Sequence, residues 1–413
     1  MLLLQKCCIL AAKHRTQWSL IAIWNKSIRN KKSLRTRYKD FVKKRILISV
    51  SNDLVTDQRV RKQCNSLHEA GYEILLIGRL LESSLEVNRP YRTKRMKLFF
   101  NRGALFYAEL NIRLFVKLLF KKADYLWAND LDTLPANYFL SLFKFRPLIY
   151  DSHEFFTEVP EIQGRSLVQN TWKFFEKWMI RRPFVRITVN DSIAELFKDR
   201  YRIPAPLVVR NLPEKTKFAP TELSRSDLLG SFSYALILQG NGINIDRGAE
   251  EVVIAMQYLD KTRLIILGSG DAIPNLKKLV GEMNLGERIM FFPRMPYEKM
   301  MSYSALCDLG LSMDKPNNIN YKYSLPNKIF DYAKAGIPVY ASNLFEIRRV
   351  FKKYPFGVTT DTHDPRVIAE ELAELLQDSH KREEMKKWAQ QASRELNWSR
   401  DFNPIIKKLE SSE

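Results

Sequence analysis

The stretch YSLPNKIFDYAKAGIPVYAS, Tyr323 to Ser342, puts a polar Ser-Leu-Pro-Asn-Lys turn before a short helix and lets a Gly-Ile-Pro kink feed an apolar strand. A helix starting with Pro326 in its first turn leaves several backbone N–H groups unpaired, and these, with the helix dipole, favour an anion in front of them. Lys328 adds a full positive charge there, and Asp331 is the one acid on the helix. An ordinary αβ unit with a polar turn looks the same locally. The remaining elements decide between the two.

From Arg45 onward, short apolar or β-branched runs alternate with longer helical periodicities, the pattern of βα units around a parallel sheet. RILISV, EILLIG, YLWA, PLIY, VRITV and LVVR are expected strands. Between the first two, DQRVRKQCNSLHEAGY reads as a helix with Val60, Cys64 and Leu67 on one face and Gly71 closing it. ALFYAELNIRLFVKLLFKK reads as an amphipathic helix with basic residues beside its apolar stripe. Around residues 212–232 the chain turns polar and loses periodicity. The pattern then restarts with YALILQG, RLIILG, RIMFF, DLGLSM, IPVYAS and FGVTT. A chain of 413 residues also exceeds what one core usually organises. The expected fold class is therefore α/β, with two tandem Rossmann-like doubly wound domains at 44–213 and 233–396. A linker at 214–232 joins them, a basic extension at 1–43 precedes them, and a C-terminal helix at 397–413 follows. Open α/β sheets bind ligands at the carboxyl ends of their strands, so functional residues are expected in loops facing an interdomain cleft.

The formal charge of +21 favours anionic partners, and its distribution narrows them. Residues 1–50 hold 13 Lys and Arg against one acid, Asp40, and residues 89–122 hold 10 against one, Glu109. The basic face thus belongs to the first half. Cys7, Cys8, Cys64 and Cys307 are too few and too scattered for a disulfide framework, which suits a reducing cytoplasm. The opening MLLLQKCCILAA lacks a basic segment before its apolar run and is broken by Lys6, unlike a secretory signal. No run of about 18 apolar residues suggests a transmembrane helix. Residues 1–43 read either as a disordered arm or as an interfacial segment.

Three loops of the second half carry candidate chemistry. Gly240 and Gly242 permit close backbone approach, with Arg247 just before a helix, where a guanidinium can grip a phosphate bidentately. Gly268-Ser269-Gly270 enters another helix, a pattern a plain tight βα turn also shows. The third loop is the opening stretch. In the first half, Asp151, His153 and Glu154 follow one strand and Asn129, Asp130 and Asp132 another, where one carboxylate could cap the next helix and another face an acceptor. SNDLVTDQR contributes Asp53, Thr56, Asp57 and Arg59, with helix capping by Thr56 or Asp57 as the plain alternative. Neither zinc-ligand spacing nor a Gly-Lys-Ser/Thr phosphate loop occurs.

These residues resemble the retaining glycosyltransferases of family 4 with the GT-B fold, particularly those of bacterial polysaccharide and lipopolysaccharide biosynthesis. The resemblance runs from about Arg45 to Trp398 and is carried by SNDLVTDQRVRKQCNSLHEAGYEILLIGR, YDSHEFF, QGNGINIDRGAEE, LGSGD and SLPNKIFDYAKAGIPV. In that family a Glu, seven residues and a second Glu precede an Ala-x-Gly-x-Pro-Val turn, and the second Glu commonly binds the nucleotide ribose. Asp331 matches the second Glu. The first falls on Tyr323, so Ser324 or Asn327 is the candidate to replace its contact. Arg247 matches the second member of the family's basic pair for the donor diphosphate. The first is missing, which leaves Lys328 as substitute. His153 matches the active-site His that orients donor sugar or acceptor, with Asp130 and Glu154 as the other catalytic candidates and Asp57 and Arg59 on the acceptor side.

The resemblance implies a metal-independent transferase with no cofactor, since the nucleotide-sugar is a substrate and backbone dipoles and cations stabilise the leaving diphosphate. The implied acceptor is a glycan or a lipid-linked one, and the basic first half adds an anionic membrane surface as partner, on the inner, cytoplasmic face. Two alternatives remain open. The same fold serves nucleotide-sugar epimerases, where Asp130 or Glu154 could act as base. A basic, non-enzymatic membrane- or nucleic-acid-binding protein is the other, although no helix-turn-helix, zinc finger or RNP-type strand is present and nucleic acid is not expected.

Overall fold

The computed structural model describes residues 43–411 apart from 56, 83, 160, 161, 215–217 and 241. All of the basic extension except Lys43, and the candidate cap Thr56, therefore lie outside the described residues. Two parallel sheets organise the chain. The first contains β1 (Arg45–Asp53), β2 (Glu73–Arg79), β3 (Arg92–Met96), β4 (Tyr125–Asn129), β5 (Leu148–Ser152), β6 (Val185–Thr188) and β7 (Leu207–Val208), in the order β3-β2-β1-β4-β5-β6-β7. The second contains β8 (Tyr234–Gly240), β9 (Thr262–Gly268), β10 (Ile289–Phe292), β11 (Leu309–Ser312), β12 (Val339–Ser342) and β13 (Gly357–Thr360), in the order β10-β9-β8-β11-β12-β13.

Continuous apolar runs appear because both faces of each sheet are covered. In β1, Leu47 belongs to one core with Leu126, Ala128 and Tyr150, while Ile46 and Ile48 belong to the opposite core with Trp127 and Ile149. The second sheet separates in the same way, with Leu236 and Leu238 on one side and Ala235 and Ile237 on the other. β3 is the strand the sequence pattern omits. It sits at the sheet edge, pairing only with β2, and a charged RTKRM segment suffices there because its outward side chains meet water.

Each sheet reverses its strand order once, between β1 and β4 and between β8 and β11. At such a point neighbouring crossovers leave on opposite faces, so the loops part and open a crevice at the carboxyl ends. The two crevices face each other across hydrogen bonds between the domains: Asn320 Oδ1 accepts from the Phe155 N–H at 3.2 Å, and Asn190 Nδ2 donates to the Tyr323 carbonyl at 2.9 Å.

The final helix, Trp398–Glu410, returns to the first domain and buries Trp398, Phe402, Ile405 and Leu409 in the same core as Ile46 and Trp127. Trp398 stacks on Phe402 at 5.1 Å, Phe402 stacks on Trp127 at 6.2 Å, and the Trp398 indole N–H donates to Ser66 Oγ at 2.9 Å. Trp398→Ala should cost about 3–5 kcal/mol, the range for large aromatic truncations in a core. Urea denaturation followed by far-UV circular dichroism measures the loss, and an unchanged midpoint would mean the helix is not part of that core.

Candidate functional site

A cleft of ≈ 600 Å³ occupies the space between the two switch points. Its second-domain wall begins with glycines. Gly240 ends β8 and lines the cleft with Gly242, both at the loop that leads to Arg247. Gly268 and Gly270 do not reach this wall. A Cβ on Gly268 would come within 1.8 Å of the Gly240 carbonyl oxygen, and one on Gly270 within 2.0 Å of the Ile243 carbonyl oxygen. Their role is therefore to let the β8 and β9 loops pack tightly. This close packing is what the tight-turn alternative requires of these two glycines.

Arg247 and Lys328 converge on one buried carboxylate, Asp314, which follows β11. Arg247 Nη1 lies 3.3 Å from Asp314 Oδ1, and Lys328 Nζ lies 3.6 Å from Oδ2. The Arg247 guanidinium also lies over the Tyr321 ring at 4.8 Å, which fixes its plane. Burial lowers the Lys328 ammonium pKa and the Asp314 charge partly restores it. Burial likewise opposes the Arg247 charge, but Asp314 keeps it raised. Two cations around one carboxylate leave a net positive charge, and both side chains line the cleft.

Asn327 is the first residue of the helix Asn327–Ala335, with Pro326 as its N-cap in an extended conformation and no side chain capping the end. Ser324, Asn327 and Lys328 line the cleft beside that helix start. One turn further on, Asp331 Oδ1 accepts a hydrogen bond from the Tyr297 hydroxyl at 2.7 Å. Burial pushes Asp331 up to about 6, against the pull of Tyr297 and of Lys62 from the first domain. Lys62 in turn is brought down to about 7 by burial, although Asp331 opposes this. Its ammonium donates to Asn211 Oδ1 and the Leu212 carbonyl, both at 2.6 Å.

The first-domain wall centres on His153. Its backbone N–H donates to Asp130 Oδ1 at 2.8 Å and its Nδ1 lies 3.1 Å from Asp130 Oδ2, while Nε2 lies 3.6 Å from Asp151 Oδ2. Burial opposes charging, yet Asp130 and Asp151 together raise the imidazole pKa well above its ordinary range, which favours the imidazolium. Asp130 adopts φ 59°, a left-handed backbone that non-glycine residues seldom take. Its carboxylate is used on His153 and does not cap the following helix, whose N-cap Thr133 makes no side-chain cap bond. Asp132 is buried beside it, and burial with the Asp130 charge raises it to about 7. Glu154 lines the cleft and accepts from Asn320 Nδ2 at 3.1 Å.

The acceptor-side pair has other duties. Asp57 N-caps the helix Gln58–Glu69 through the Val60 N–H at 3.0 Å and accepts from Asn52 Nδ2 at 3.1 Å. The buried Arg59 guanidinium grips Asp151 at 2.7 Å and donates to the Val209 carbonyl at 2.7 Å. Both residues border the cleft, but a charge committed in this way orients Asp151 and, through it, His153, and is not held out toward a ligand. Sequence reading missed Asp314, Tyr297, Lys62 and Asn320. Asp314 alone left a local signal, as an acid just beyond a strand end.

Residues 234–392 match the family described as "Glycosyl transferases group 1". Over 251 residues the chain is 21% identical to the alpha-D-kanosaminyltransferase of Streptomyces kanamyceticus, an alignment spanning 58% of this chain and 64% of that relative. Sucrose-phosphate synthase from Thermosynechococcus elongatus superposes with a TM-score of 0.75 at 17% identity, covering 90% of this chain and all of the other. Anabaena HepE, solved with UDP and glucose, superposes with a TM-score of 0.68 at 16% identity, covering 89% of this chain and all of its own. The fold is GT-B, and the family match falls on the second domain.

The cation pair predicts an anion site that can be probed without knowing the natural ligand. Arg247→Ala and Lys328→Ala should each weaken pyrophosphate binding by about 1.5–3 kcal/mol, the contribution of a hydrogen bond to a charged group. Isothermal calorimetry reads the change, and wild-type affinity in both variants would remove the pair from the site.

Proposed function

We propose, from the premise that a group 1 glycosyltransferase domain closes one side of a GT-B cleft, that this chain is a retaining glycosyltransferase of the family 4 type. It moves a sugar from a nucleotide-sugar to a glycan or lipid-linked acceptor in cell-surface polysaccharide or lipopolysaccharide biosynthesis. The observation that carries the reading is the convergence of Arg247, Lys328 and the start of the Asn327–Ala335 helix beside Asp331. Cations and backbone N–H groups take the donor diphosphate, and Asp331 accepts from the ribose hydroxyls.

In the transfer, the bond from the anomeric carbon to the leaving phosphate oxygen breaks through an oxocarbenium-like transition state. The acceptor oxygen attacks from the same face, and its proton passes to the departing phosphate. Arg247 and Lys328 stabilise the charge that grows on the diphosphate, a task that needs no metal ion. The His153 imidazolium, held by Asp130, donates to a sugar or acceptor hydroxyl at the opposite wall. Incubation with labelled nucleotide-sugars and a membrane extract tests the proposal, which fails if no donor passes its sugar to lipid or glycan.

The acceptor is proposed to lie at the inner face of the cytoplasmic membrane. Among the described residues no helix is long and apolar enough to cross a bilayer, so association would be peripheral. The helix Gly103–Leu119 buries Phe106, Leu110, Leu114 and Leu118 while exposing Leu105, Ile112 and Val116, and Phe120, Lys121 and Lys122 follow it, also exposed. A cation near an anionic leaflet contributes about 1 kcal/mol. Lys117, Lys121 and Lys122 form no ion pair among the described residues, whereas Arg113 is held by Glu109 at 2.7 Å.

Two outcomes follow from this reading. Reversing Lys117, Lys121 and Lys122 to Glu should sharply weaken flotation with anionic vesicles and leave donor binding intact, while flotation equal to wild type would reject the Gly103–Leu119 surface as the electrostatic contact. Affinity for a nucleotide-sugar, whose diphosphate diester does not titrate near neutrality, should rise as Asp331 ionises through about pH 6. Asp331→Asn should flatten that rise and bind more weakly above it. An unchanged pH profile in Asp331→Asn would put the ribose contact elsewhere.

A further inference from the structure

Three helices lie side by side on one face of the first sheet: Gly103–Leu119, Leu134–Lys144 and Ser166–Met179. Their inner sides share one core, with Leu110, Leu114, Leu140, Trp172 and Met179 all buried in it. Their outer sides are also apolar. Phe145 is 88% exposed, Phe143 67%, Phe174 66% and Trp178 48%. The rings connect across the helices, since Phe115 meets Phe143 at 5.7 Å and Phe139 meets Trp178 at 5.9 Å. Soluble surfaces rarely leave an aromatic patch of this extent uncovered.

The charge on this face has one sign. Residues 99–122, 134–146 and 165–182 contain two acids, Glu109 and Glu176. Glu109 is used by the Phe99 and Phe100 N–H groups and by Arg113, and Glu176 is fully buried against Tyr150 and Tyr201. The same segments hold twelve Lys and Arg, among them Lys117, Lys121, Lys122, Arg146 and Lys177. Phe145 adds a third observation. It is the C-cap of Leu134–Lys144 at φ 52°, ψ 43°, a left-handed position where Gly or Asn is usual. The backbone is strained there, and the strain presents a phenyl ring to solvent. An apolar phase outside the protein gives both features a physical reason.

On the footing of the membrane reading above, we propose that the rings of Phe143, Phe145, Phe174 and Trp178 insert into an anionic bilayer, making a three-helix docking face of which Gly103–Leu119 is one edge. Aromatic rings partition at the headgroup boundary and the surrounding cations meet lipid phosphates. A second copy of the chain does not fit this face, because two such surfaces would bring unneutralised cations together. Attraction brings the protein to the leaflet and insertion holds it, so salt should release only part of the bound protein.

The double variant Phe145→Asn/Phe174→Ser removes two rings and no charge. Its partition onto phosphatidylcholine vesicles containing phosphatidylglycerol should fall about tenfold or more at physiological salt, from the apolar area lost, and recover at low salt. Phe145→Asn alone should raise the melting temperature, because Asn tolerates the left-handed backbone, while it weakens partition. Brominated phospholipid should quench wild-type fluorescence more than that of Trp178→Phe. Wild-type partition by the double variant, when wild type floats, overturns insertion and leaves electrostatic docking standing. No flotation of wild type defeats both. A lipid-free dimer that the double variant converts to monomer, with flotation unaltered, would assign the face to a second copy and also overturn the proposal.

Discussion

The guanidinium of Arg59, packed against Asp151, ties several elements of the first domain to the returning C-terminal helix. It reaches from the helix after β1 to the end of β5, donates to the carbonyl of Val209 just past β7, and lies 5.8 Å from the Trp398 ring. One side chain thus joins its own helix, two strand ends and the returning C-terminal helix. Burying an ion pair costs desolvation that only good geometry and further hydrogen bonds repay. Here the carboxylate makes two bonds to Arg59, at 2.7 and 3.3 Å, and faces the His153 imidazolium with the same Oδ2. Burial works against ionised Asp151, but those two cations hold it well below the usual carboxylate range.

That arrangement passes its order on to the cleft. With Asp151 charged, His153 is held by Asp130 at Nδ1, while Nε2 lies 3.6 Å from Asp151 without a hydrogen bond. Asp130 supplies that grip from a strained backbone, a cost that a packing role alone does not explain. The opposite wall follows the same principle with signs reversed, since Asp314 spaces Arg247 and Lys328 as Asp130 and Asp151 space His153. Electrostatic stabilisation of a transition state depends on charges that need not move when the reaction begins. Both walls hold their charges by close counter-charges, of which Asp151 and Asp314 are buried.

The apolar outer face of the first domain belongs to a different order of effect. Its rings leave the cleft geometry alone, and the strain at Phe145 is a small sum against the core beneath. The first domain therefore combines an inward surface of paired charges with an outward surface of cations and rings. The second domain brings Arg247 and Lys328 to the cleft.

Much of this was legible in the residue order alone. The apolar runs located twelve of the thirteen strands among the described residues, because a strand covered on both faces must be apolar throughout, and β3 escaped because an edge strand has no such need. Gly240, Arg247, Asn327, Lys328, Asp331 and His153 could be singled out because each stands beside a strand end or a helix start. The meaning of Gly268 and Gly270 could not, since a glycine needed for a neighbouring backbone and one needed for a ligand look identical in sequence. Lys62 and Asp331 are 269 positions apart, as are many pairs that never interact. Hydrophobic pattern is a local record of burial and fixes which segments become strands and helices. The partner of a buried charge is set by where two elements cross, so only the tertiary structure could decide that Asp314 serves two cations, that Arg59 is turned inward to Asp151, and that Phe145 is turned out.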